Sequence, residues 1–202
     1  GAGNRYIEEI LSGSNCSVET IHTEKNPYFG GINPEPIKQN LLELMKLTKK
    51  GKFDIGLATD GDVDRIGAAS PDGKLISSHK IICLILLHFI EDKLLKGSVV
   101  KTISGTTLLD RICKKYKITL HETPVGFKYV ANYMLKEKVL IGGEESGGIG
   151  FINYMPERDG IISGILLLSM MAKRKKSILG ILKDVEKEYG AFEFVREDMK
   201  YS

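Results

Sequence analysis

Short apolar runs of strand length alternate along this chain with longer segments in which apolar residues recur every three or four positions. Such alternation is typical of α/β proteins, whose strands are covered by amphipathic helices. In the first half of the chain the pattern predicts strands at residues 18–22, 53–58, 65–69 and 75–76. It predicts helices at residues 5–11, 37–48 and 78–95. Ser77 or Ser78 is the expected cap of the third helix.

The same pattern begins again after Lys96 and Gly97. It predicts strands at residues 99–103, 118–122, 139–141 and 149–152, and helices at residues 106–116, 127–135, 159–172 and 178–189. The sequence therefore predicts two tandem three-layer α/β/α domains with mixed, mostly parallel sheets, at residues 1–96 and 97–190. Residues 191–202 are predicted to be a linker. Because a Gly-Ala-Gly turn such as residues 1–3 normally follows a strand, we expect the first domain to lack its opening strand and the chain to be a piece of a longer protein.

Composition narrows the function further. The 202 residues are 42% apolar and 27% charged, as in ordinary soluble domains, and the net charge of +3 is too small to indicate a nucleic-acid partner. The three cysteines are odd in number and far apart, so neither a disulfide framework nor a zinc site is predicted. The longest apolar run, residues 81–87, is far shorter than the roughly 20 residues of a membrane span. With no signal-peptide pattern at its start, the chain is predicted to be cytoplasmic, without a membrane partner.

Three aspartates alternate directly after the apolar run at residues 53–58. The segment is Asp60-Gly61-Asp62-Val63-Asp64-Arg65, termed here the aspartate loop. Carboxylates this close raise one another's pKa unless a cation lies between them. A hard divalent cation satisfies that need, and all-oxygen ligation favours Mg²⁺. We therefore expect Asp60, Asp62 and Asp64 to bind Mg²⁺, and the guanidinium of Arg65 is a candidate phosphate ligand.

Of the other interpretations of the aspartate loop, two are disfavoured and two stay open. A solvated acidic turn is disfavoured, because α/β proteins bind their ligands where strands end. An EF-hand needs Gly at its sixth position and Glu at its twelfth, where this chain has Arg65 and Pro71. A HAD-like phosphatase with Asp60 or Asp62 as the aspartyl nucleophile stays open as an alternative, although it leaves the third aspartate without a role. A non-catalytic module that binds sugar phosphates is a further alternative.

A glycine-rich segment follows the strand predicted at residues 139–141. Residues 142–148, termed the glutamate loop, read Gly-Gly-Glu-Glu-Ser-Gly-Gly. The glycines let the backbone approach a ligand closely, while glutamate accepts hydrogen bonds and serine both donates and accepts them. Vicinal sugar hydroxyls need that combination. Two further segments, Thr-Pro-Val-Gly-Phe-Lys at 123–128 and Pro-Glu-Arg-Asp-Gly at 156–160, offer cations where helices are predicted to begin, and helix N-termini bind phosphate.

These four motifs, in their order along the chain, resemble those of the α-D-phosphohexomutases, the phosphoglucomutase/phosphomannomutase superfamily. The opening Gly-Ala-Gly and the Asn-Pro-Glu-Pro turn at residues 33–36 also resemble the second domain of that family. The resemblance extends to about Tyr189 and covers the second and third of four domains that surround one cleft. It implies reversible transfer of phosphate between positions 1 and 6 of a hexose phosphate, by way of a phosphoserine and a hexose 1,6-bisphosphate.

The resemblance also implies roles for individual residues. The three aspartates bind Mg²⁺ together with a phosphoserine of the first domain, and Arg65 lies beside that phosphoserine. Glu144 and Ser146 bind sugar hydroxyls. The path of the substrate's sugar and phosphate is lined by Thr123, Gly126, Lys128 and Arg158, and the cations with catalytic roles are Arg65, Lys128 and Arg158.

Parts of the family's active site are absent from this sequence, which holds neither a Ser-His-Asn-Pro phosphoserine loop nor the phosphate clamp of the fourth domain. The resemblance therefore implies that this chain alone has no mutase activity and works with the first and fourth domains of a longer protein. Val63 stands where the family usually has a small residue. Gly147 and Gly148 lack the histidine or aromatic residue of other branches. This difference favours glucose 1-phosphate and mannose 1-phosphate over glucosamine phosphates as substrates.

Overall fold

The computed structural model describes residues 1–192, whose strands form two sheets. The first sheet is antiparallel, in the order β1 (Gly56–Thr59), β2 (Ile66–Ala69) and β3 (Leu75–Ile76). The second has the order β5-β4-β6-β7 and consists of β4 (Ser98–Thr102), β5 (Leu120–Thr123), β6 (Val139–Gly143) and β7 (Ile149–Phe151). In it β4 runs parallel to both of its neighbours, and β7 is antiparallel to β6.

The predicted α/β class is confirmed, but mostly parallel pairing is found only in the second sheet. It is wrong for the first sheet, because only residues 60–65 connect β1 to β2. A parallel connection needs a crossover of about a dozen residues or more, so a link this short forces an antiparallel turn. The aspartate loop is therefore a hairpin connection between two strands of one sheet.

Seven α-helices in the described part of the chain surround these sheets. They are α1 (Tyr6–Ile10), α2 (Leu42–Lys50), α3 (Ser78–Leu87), α4 (Thr107–Tyr116), α5 (Phe127–Lys136), α6 (Gly160–Arg174) and α7 (Ile178–Tyr189). Side chains that accept a backbone N–H bond cap the starts of four of them, namely Ser77, Thr106, Asp159 and Ser177. Among residues 1–192, no helix has both the length and the apolar character needed to cross a membrane.

Two predicted elements of the first half differ from the structure. Residues 18–22 form no strand, because no neighbouring strand pairs with them in the described chain. The helix predicted to reach Leu95 ends earlier, with α3 giving way to a π-helical turn at His88–Asp92. In that turn His88, which is buried, makes hydrogen bonds to Asp92 (2.7 Å) and to Ser169 on α6 (3.2 Å). These bonds tie the end of the helix to α6.

Helices lie on both faces of each sheet, which gives the predicted three layers. In the first sheet Gly56 lies against α2, whereas the next residue, Leu57, packs on Gly164 of α6. In the second sheet Val99 belongs to the main core, whereas Val100 packs with residues of α5.

The main core is continuous across both sheets and includes Ile66 and Ile76 from the first and Leu140 from the second. Helix α3 contacts β2 of the first sheet as well as β6, α4 and α6. The packing therefore shows no domain boundary at Lys96, and the division into residues 1–96 and 97–190 stays a prediction. Most of the predicted linker, residues 193–202, lies outside the described residues.

The aspartate loop and the glutamate loop meet where the two sheets adjoin. The aspartate loop leaves the end of β1, and the glutamate loop leaves the end of β6. The N–H of Ile66 donates to the carbonyl of Gly147 over 3.1 Å, and Arg65 forms an isolated antiparallel bridge with Gly148. Backbone hydrogen bonding thus joins loops that are about eighty positions apart in the chain.

Candidate functional site

The three aspartates of the aspartate loop converge as the sequence predicts. One carboxylate oxygen from each of Asp60, Asp62 and Asp64 lies within 4.8 Å of the other two. Ligands about 2.1 Å from a shared Mg²⁺ lie at most about 4.2 Å apart, so a small contraction of this triad gives Mg²⁺ geometry. Asp60 is buried, Asp64 is half-buried and Asp62 is exposed. The donor set is all oxygen and open to solvent on one side, which fits a magnesium ion that retains water ligands.

Arg65 closes the aspartate loop by binding Asp60. The Arg65 backbone N–H donates to one Asp60 oxygen over 3.1 Å, and its Nε donates to the other. Burial acts to raise the pKa of Asp60, but the hydrogen bonds from Arg65 and Asp64 outweigh it and hold the pKa below its ordinary value. Asp60 is thus charged and fixed in direction. Arg65 also lies 3.6 Å from Glu35 of the Asn-Pro-Glu-Pro turn, which was not predicted to be a site residue.

Val63 takes a backbone conformation that a β-branched residue rarely adopts. Its φ is +72°, in the left-handed region where the Cβ is crowded. The carbonyl of Val63 accepts a hydrogen bond of 2.9 Å from the N–H of Gly160, the first residue of α6. A Cβ on Gly160 would lie 2.5 Å from the Arg65 carbonyl oxygen, so only glycine lets α6 begin this close to the loop. The aspartate loop is therefore held by the hydrogen bond from Gly160 and by the hydrogen bonds from Arg65 to Asp60. These bonds keep Val63 in its left-handed conformation.

Arg158 bridges the two loops. Its Nη2 lies 2.6 Å from Asp64 and its Nη1 lies 3.8 Å from Glu144. The stem of Arg158 passes over Gly148, where a Cβ would lie 2.3 Å from the Arg158 Cδ. The absence of a side chain at position 148 therefore lets this guanidinium reach the aspartate loop. The guanidinium also lies 5.5 Å from the ring centre of Phe127.

Glu144 is held at the cavity wall by one backbone donor and one cation. The N–H of Gly126, at the start of α5, donates to its Oε1 over 3.1 Å. Burial raises the pKa of Glu144, and the charge of Arg158 opposes that shift. A half-buried carboxylate with a fixed orientation is a strong acceptor for a hydroxyl group.

The two loops enclose one cavity of about 340 Å³. Ligand pockets commonly begin at about 300 Å³, so the space suits a small polar molecule. Its lining is almost wholly polar and charged, and consists of Asp62, Asp64, Arg65, Val125, Glu144, Glu145, Ser146 and Arg158. Six of these residues were predicted from the sequence, while Val125 and Glu145 were not.

Three predicted substrate residues, Thr123, Gly126 and Lys128, are not among the residues that line this cavity. Thr123 is buried, and its hydroxyl bonds the carbonyl of Pro124 over 3.1 Å. Gly126 reaches the site through its N–H bond to Glu144. Lys128 is exposed, and its ammonium lies 5.0 Å from the ring centre of Tyr129. The roles predicted for these three residues stay predictions.

We expect Asp64 to titrate near pH 6 in the metal-free chain. Burial raises its pKa to about 6, the hydrogen bond with Asp60 acts in the same direction, and Arg158 opposes it. Because this pKa exceeds the ordinary 3.8, the stabilising contribution of protonated Asp64 is complete below pH 3.8 and is lost as the pH rises through about 6. Carbon-13 NMR of the side-chain carboxyls measures the midpoint. Asp62→Ala should lower it, because the charge of Asp62 helps raise it; a midpoint near 3.8 in the unmodified chain would contradict this geometry.

Comparison with known families places both halves of the site in one family. The model for "Phosphoglucomutase/phosphomannomutase, alpha/beta/alpha domain II" matches residues 1–73, and the model for domain III of the same family matches residues 77–189. The chain belongs to the phosphoglucomutase/phosphomannomutase family. The second match begins at α3, so both matched ranges contribute to the main core described above.

Individual relatives agree with this assignment. The chain is 31% identical to a phosphoglucomutase/phosphomannomutase of Thermococcus kodakarensis, over 94% of this chain and 41% of the relative. It is 32% identical to human phosphoglucomutase-1, over 95% of this chain and 34% of the relative. A candidate phosphomannomutase from Thermus thermophilus, known from its crystal structure, superposes with a TM-score of 0.89 and 37% identity, over 94% of this chain and 44% of that one. This chain therefore spans less than half the length of these relatives.

Family membership bears on the phosphatase alternative that the sequence left open. Both matched family models describe mutase domains, so they give no support to the HAD-like phosphatase. For Asp60 the geometry agrees, because both of its carboxylate oxygens already accept hydrogen bonds from Arg65.

Proposed function

We propose that this chain carries the metal-binding and sugar-binding loops of a phosphohexomutase, which moves phosphate reversibly between positions 1 and 6 of a hexose phosphate. The observation that supports this most strongly is the direct joining of the two loops. Ile66 bonds Gly147, and Arg158 contacts both Asp64 and Glu144. A metal bound by one loop and a sugar bound by the other would therefore lie in one cavity, at fixed relative positions.

Asp60, Asp62 and Asp64 would hold Mg²⁺. The ion supplies charge neutralisation for the transferring phosphoryl group. Acidic side chains outnumber the arginines around the cavity, so the carboxylates repel one another and would favour a bound cation. Arg65 fixes Asp60 and also borders the cavity, where its guanidinium would bind a phosphate oxygen.

Glu144 and Ser146 would bind sugar hydroxyls, with Glu144 accepting and Ser146 donating or accepting. Arg158, whose guanidinium contacts Asp64 in this structure, would bind the substrate phosphate. Thr123, Gly126 and Lys128 would border the path by which the sugar phosphate enters. The substrate class is the hexose phosphates, such as glucose 1-phosphate and mannose 1-phosphate, with hexose 1,6-bisphosphate as the intermediate.

The nucleophile would come from elsewhere in the protein. The relatives are more than twice as long as the matched region, and no Ser-His-Asn-Pro segment occurs in this sequence. We therefore propose that a first domain supplies the phosphoserine, that a fourth domain supplies a phosphate clamp, and that this chain alone turns over no substrate.

We expect this chain to bind glucose 1,6-bisphosphate in the presence of Mg²⁺ through these two loops. Amide NMR titration should show shifts concentrated at residues 60–65 and 142–148. Glu144→Ala should weaken binding about tenfold or more, because a hydrogen bond to a charged group contributes roughly 1.5–3 kcal/mol. Glu8→Ala, which removes one negative charge from exposed helix α1, is the matched control and should bind as the unmodified chain does. Shifts confined to other surfaces, or equal affinity for Glu144→Ala, would contradict the proposal.

A further inference from the structure

The two neighbouring glutamates of the glutamate loop send their carboxylates to different partners. Glu144 faces Gly126 and Arg158 at the cavity. The Oε2 of Glu145 instead accepts hydrogen bonds from the hydroxyls of Ser104 (2.5 Å) and Thr102 (3.2 Å), at the end of β4. Glu145 borders the cavity, but its charged group is engaged by protein donors rather than offered to a ligand.

These donors are firmly placed. Thr102 is fully buried at the end of the central strand β4, and its hydroxyl also lies 3.1 Å from that of Ser104. Burial acts to raise the pKa of Glu145, but the hydrogen bonds from Ser104 and Thr102 outweigh it, so the pKa lies below its ordinary value. The carboxylate is therefore charged at neutral pH, and a charged acceptor makes the stronger hydrogen bonds.

The backbone of Glu145 is held from a second direction. The hydroxyl of Ser78, the first residue of α3, donates to the Glu145 carbonyl over 2.5 Å. Side chain and main chain of one residue are thus fixed by two different elements, β4 and α3. Within the loop, the N–H of Glu144 bonds the carbonyl of Gly148 (3.0 Å), and the N–H of Gly147 bonds the carbonyl of Glu144 (3.2 Å).

We propose that Glu145 is a positioning residue, whose anchoring by Ser104, Thr102 and Ser78 holds the glutamate loop in the shape that presents Glu144 and Ser146 to the cavity. The part that concerns sugar binding rests on the proposed function. A glycine-rich loop samples many backbone conformations, so its ligand groups stay in place only if something outside the loop restrains it. Glu145 lies between the two proposed sugar ligands in the chain and supplies that restraint.

A residue that merely stabilised the fold would behave differently from a positioning residue. Loss of a general stabiliser speeds hydrogen exchange across both sheets, whereas loss of a local anchor speeds exchange only in the segment it holds. The amides of Glu144 and Gly147 report on the loop, because both are bonded within it. This readout uses no ligand and is independent of catalytic activity.

The test compares Glu145→Ala, Glu145→Gln, Ser104→Ala and Ser70→Ala in this chain by amide hydrogen exchange. Ser70→Ala is the matched control, because its hydroxyl also bonds a carboxylate (Asp72, 2.5 Å) but lies at the β2–β3 turn. We expect Glu145→Ala and Ser104→Ala to speed exchange at Glu144 and Gly147 about tenfold or more, with little change elsewhere. Glu145→Gln keeps one acceptor and should fall between, and Ser70→Ala should leave the loop unchanged.

Unchanged loop exchange in Ser104→Ala, or acceleration spread evenly over both sheets, would overturn the inference. If Glu145→Ala fails to fold, Ser104→Ala carries the test, since it keeps the charge and removes only one hydroxyl. Binding of glucose 1,6-bisphosphate with Mg²⁺ separates the two proposals. A loop that loosens while the unmodified chain binds no hexose phosphate would count against the proposed function alone. Weaker binding by the same variants that loosen the loop supports both.

Discussion

Gly147→Ala is expected to lower the free energy of unfolding by about 3 kcal/mol, because left-handed strain, backbone overlap and loss of a hydrogen bond act together. The φ of Gly147 is +98°, and a Cβ there would lie 2.6 Å from the carbonyl oxygen of Ile66. That atom belongs to β2 and cannot swing aside as a side chain could. The glutamate loop would have to withdraw, which breaks the bond from the Ile66 N–H to the Gly147 carbonyl.

Gly13→Ala is the control that isolates the overlap. Gly13 also has a positive φ, +78°, but a Cβ there meets no atom within 4 Å. Its cost should be about 1–2 kcal/mol, the left-handed strain alone. Urea denaturation of both variants gives the difference. Equal losses would mean that the close approach of the two loops contributes nothing to stability, and that the joined loops described above are held by other contacts.

The sequence predicted most strands and helices because their apolar periodicity is strong and their ends carry clear caps. It predicted the aspartate loop for a different reason, since three carboxylates so close together have few stable uses other than metal binding. Residues 18–22 had the strand-like apolar pattern too. Forming a strand also requires a neighbour, and a pattern in one segment carries no information about whether a second segment lies alongside it.

The parts of the site that escaped prediction depend on contacts between distant residues. The family resemblance assigned Glu144 to the sugar, but Glu145 is adjacent and identical in type, and nothing in the sequence near it shows that it faces Ser104. The hydrogen bonds that decide this span 41 and 43 positions. Likewise, the role of Gly148 becomes visible only when the stem of Arg158 is found above it. The one local signal concerned the start of α3, where the sequence predicted Ser77 or Ser78 as the helix cap.

The three aspartates of the aspartate loop are expected to differ in what they contribute to stability. Asp60 is buried and binds Arg65 through both carboxylate oxygens, whereas Asp62 is exposed and makes no ion pair among the described residues. Asp60→Ala should therefore destabilise the chain by about 2–3 kcal/mol, because it removes charged hydrogen bonds and leaves Arg65 partly unpaired. Asp62→Ala should raise the unfolding midpoint slightly or leave it unchanged, and should not lower it, because the charge of Asp62 repels the neighbouring carboxylate of Asp64.

Metal affinity should not follow that division. Each variant removes one of the three proposed carboxylate ligands, so both should weaken divalent-cation binding about tenfold or more even though only one is destabilised. Mn²⁺ serves as the probe, since line broadening of amide signals at residues 60–65 detects weak binding that calorimetry misses. Asp54→Ala, which removes an aspartate just before β1, is the control and should retain both stability and affinity. Full Mn²⁺ affinity in Asp62→Ala would remove this residue from the metal site. Full stability in Asp60→Ala would show that the bond to Arg65 does not hold the loop, and that the metal ligands are ordered only when the cation binds.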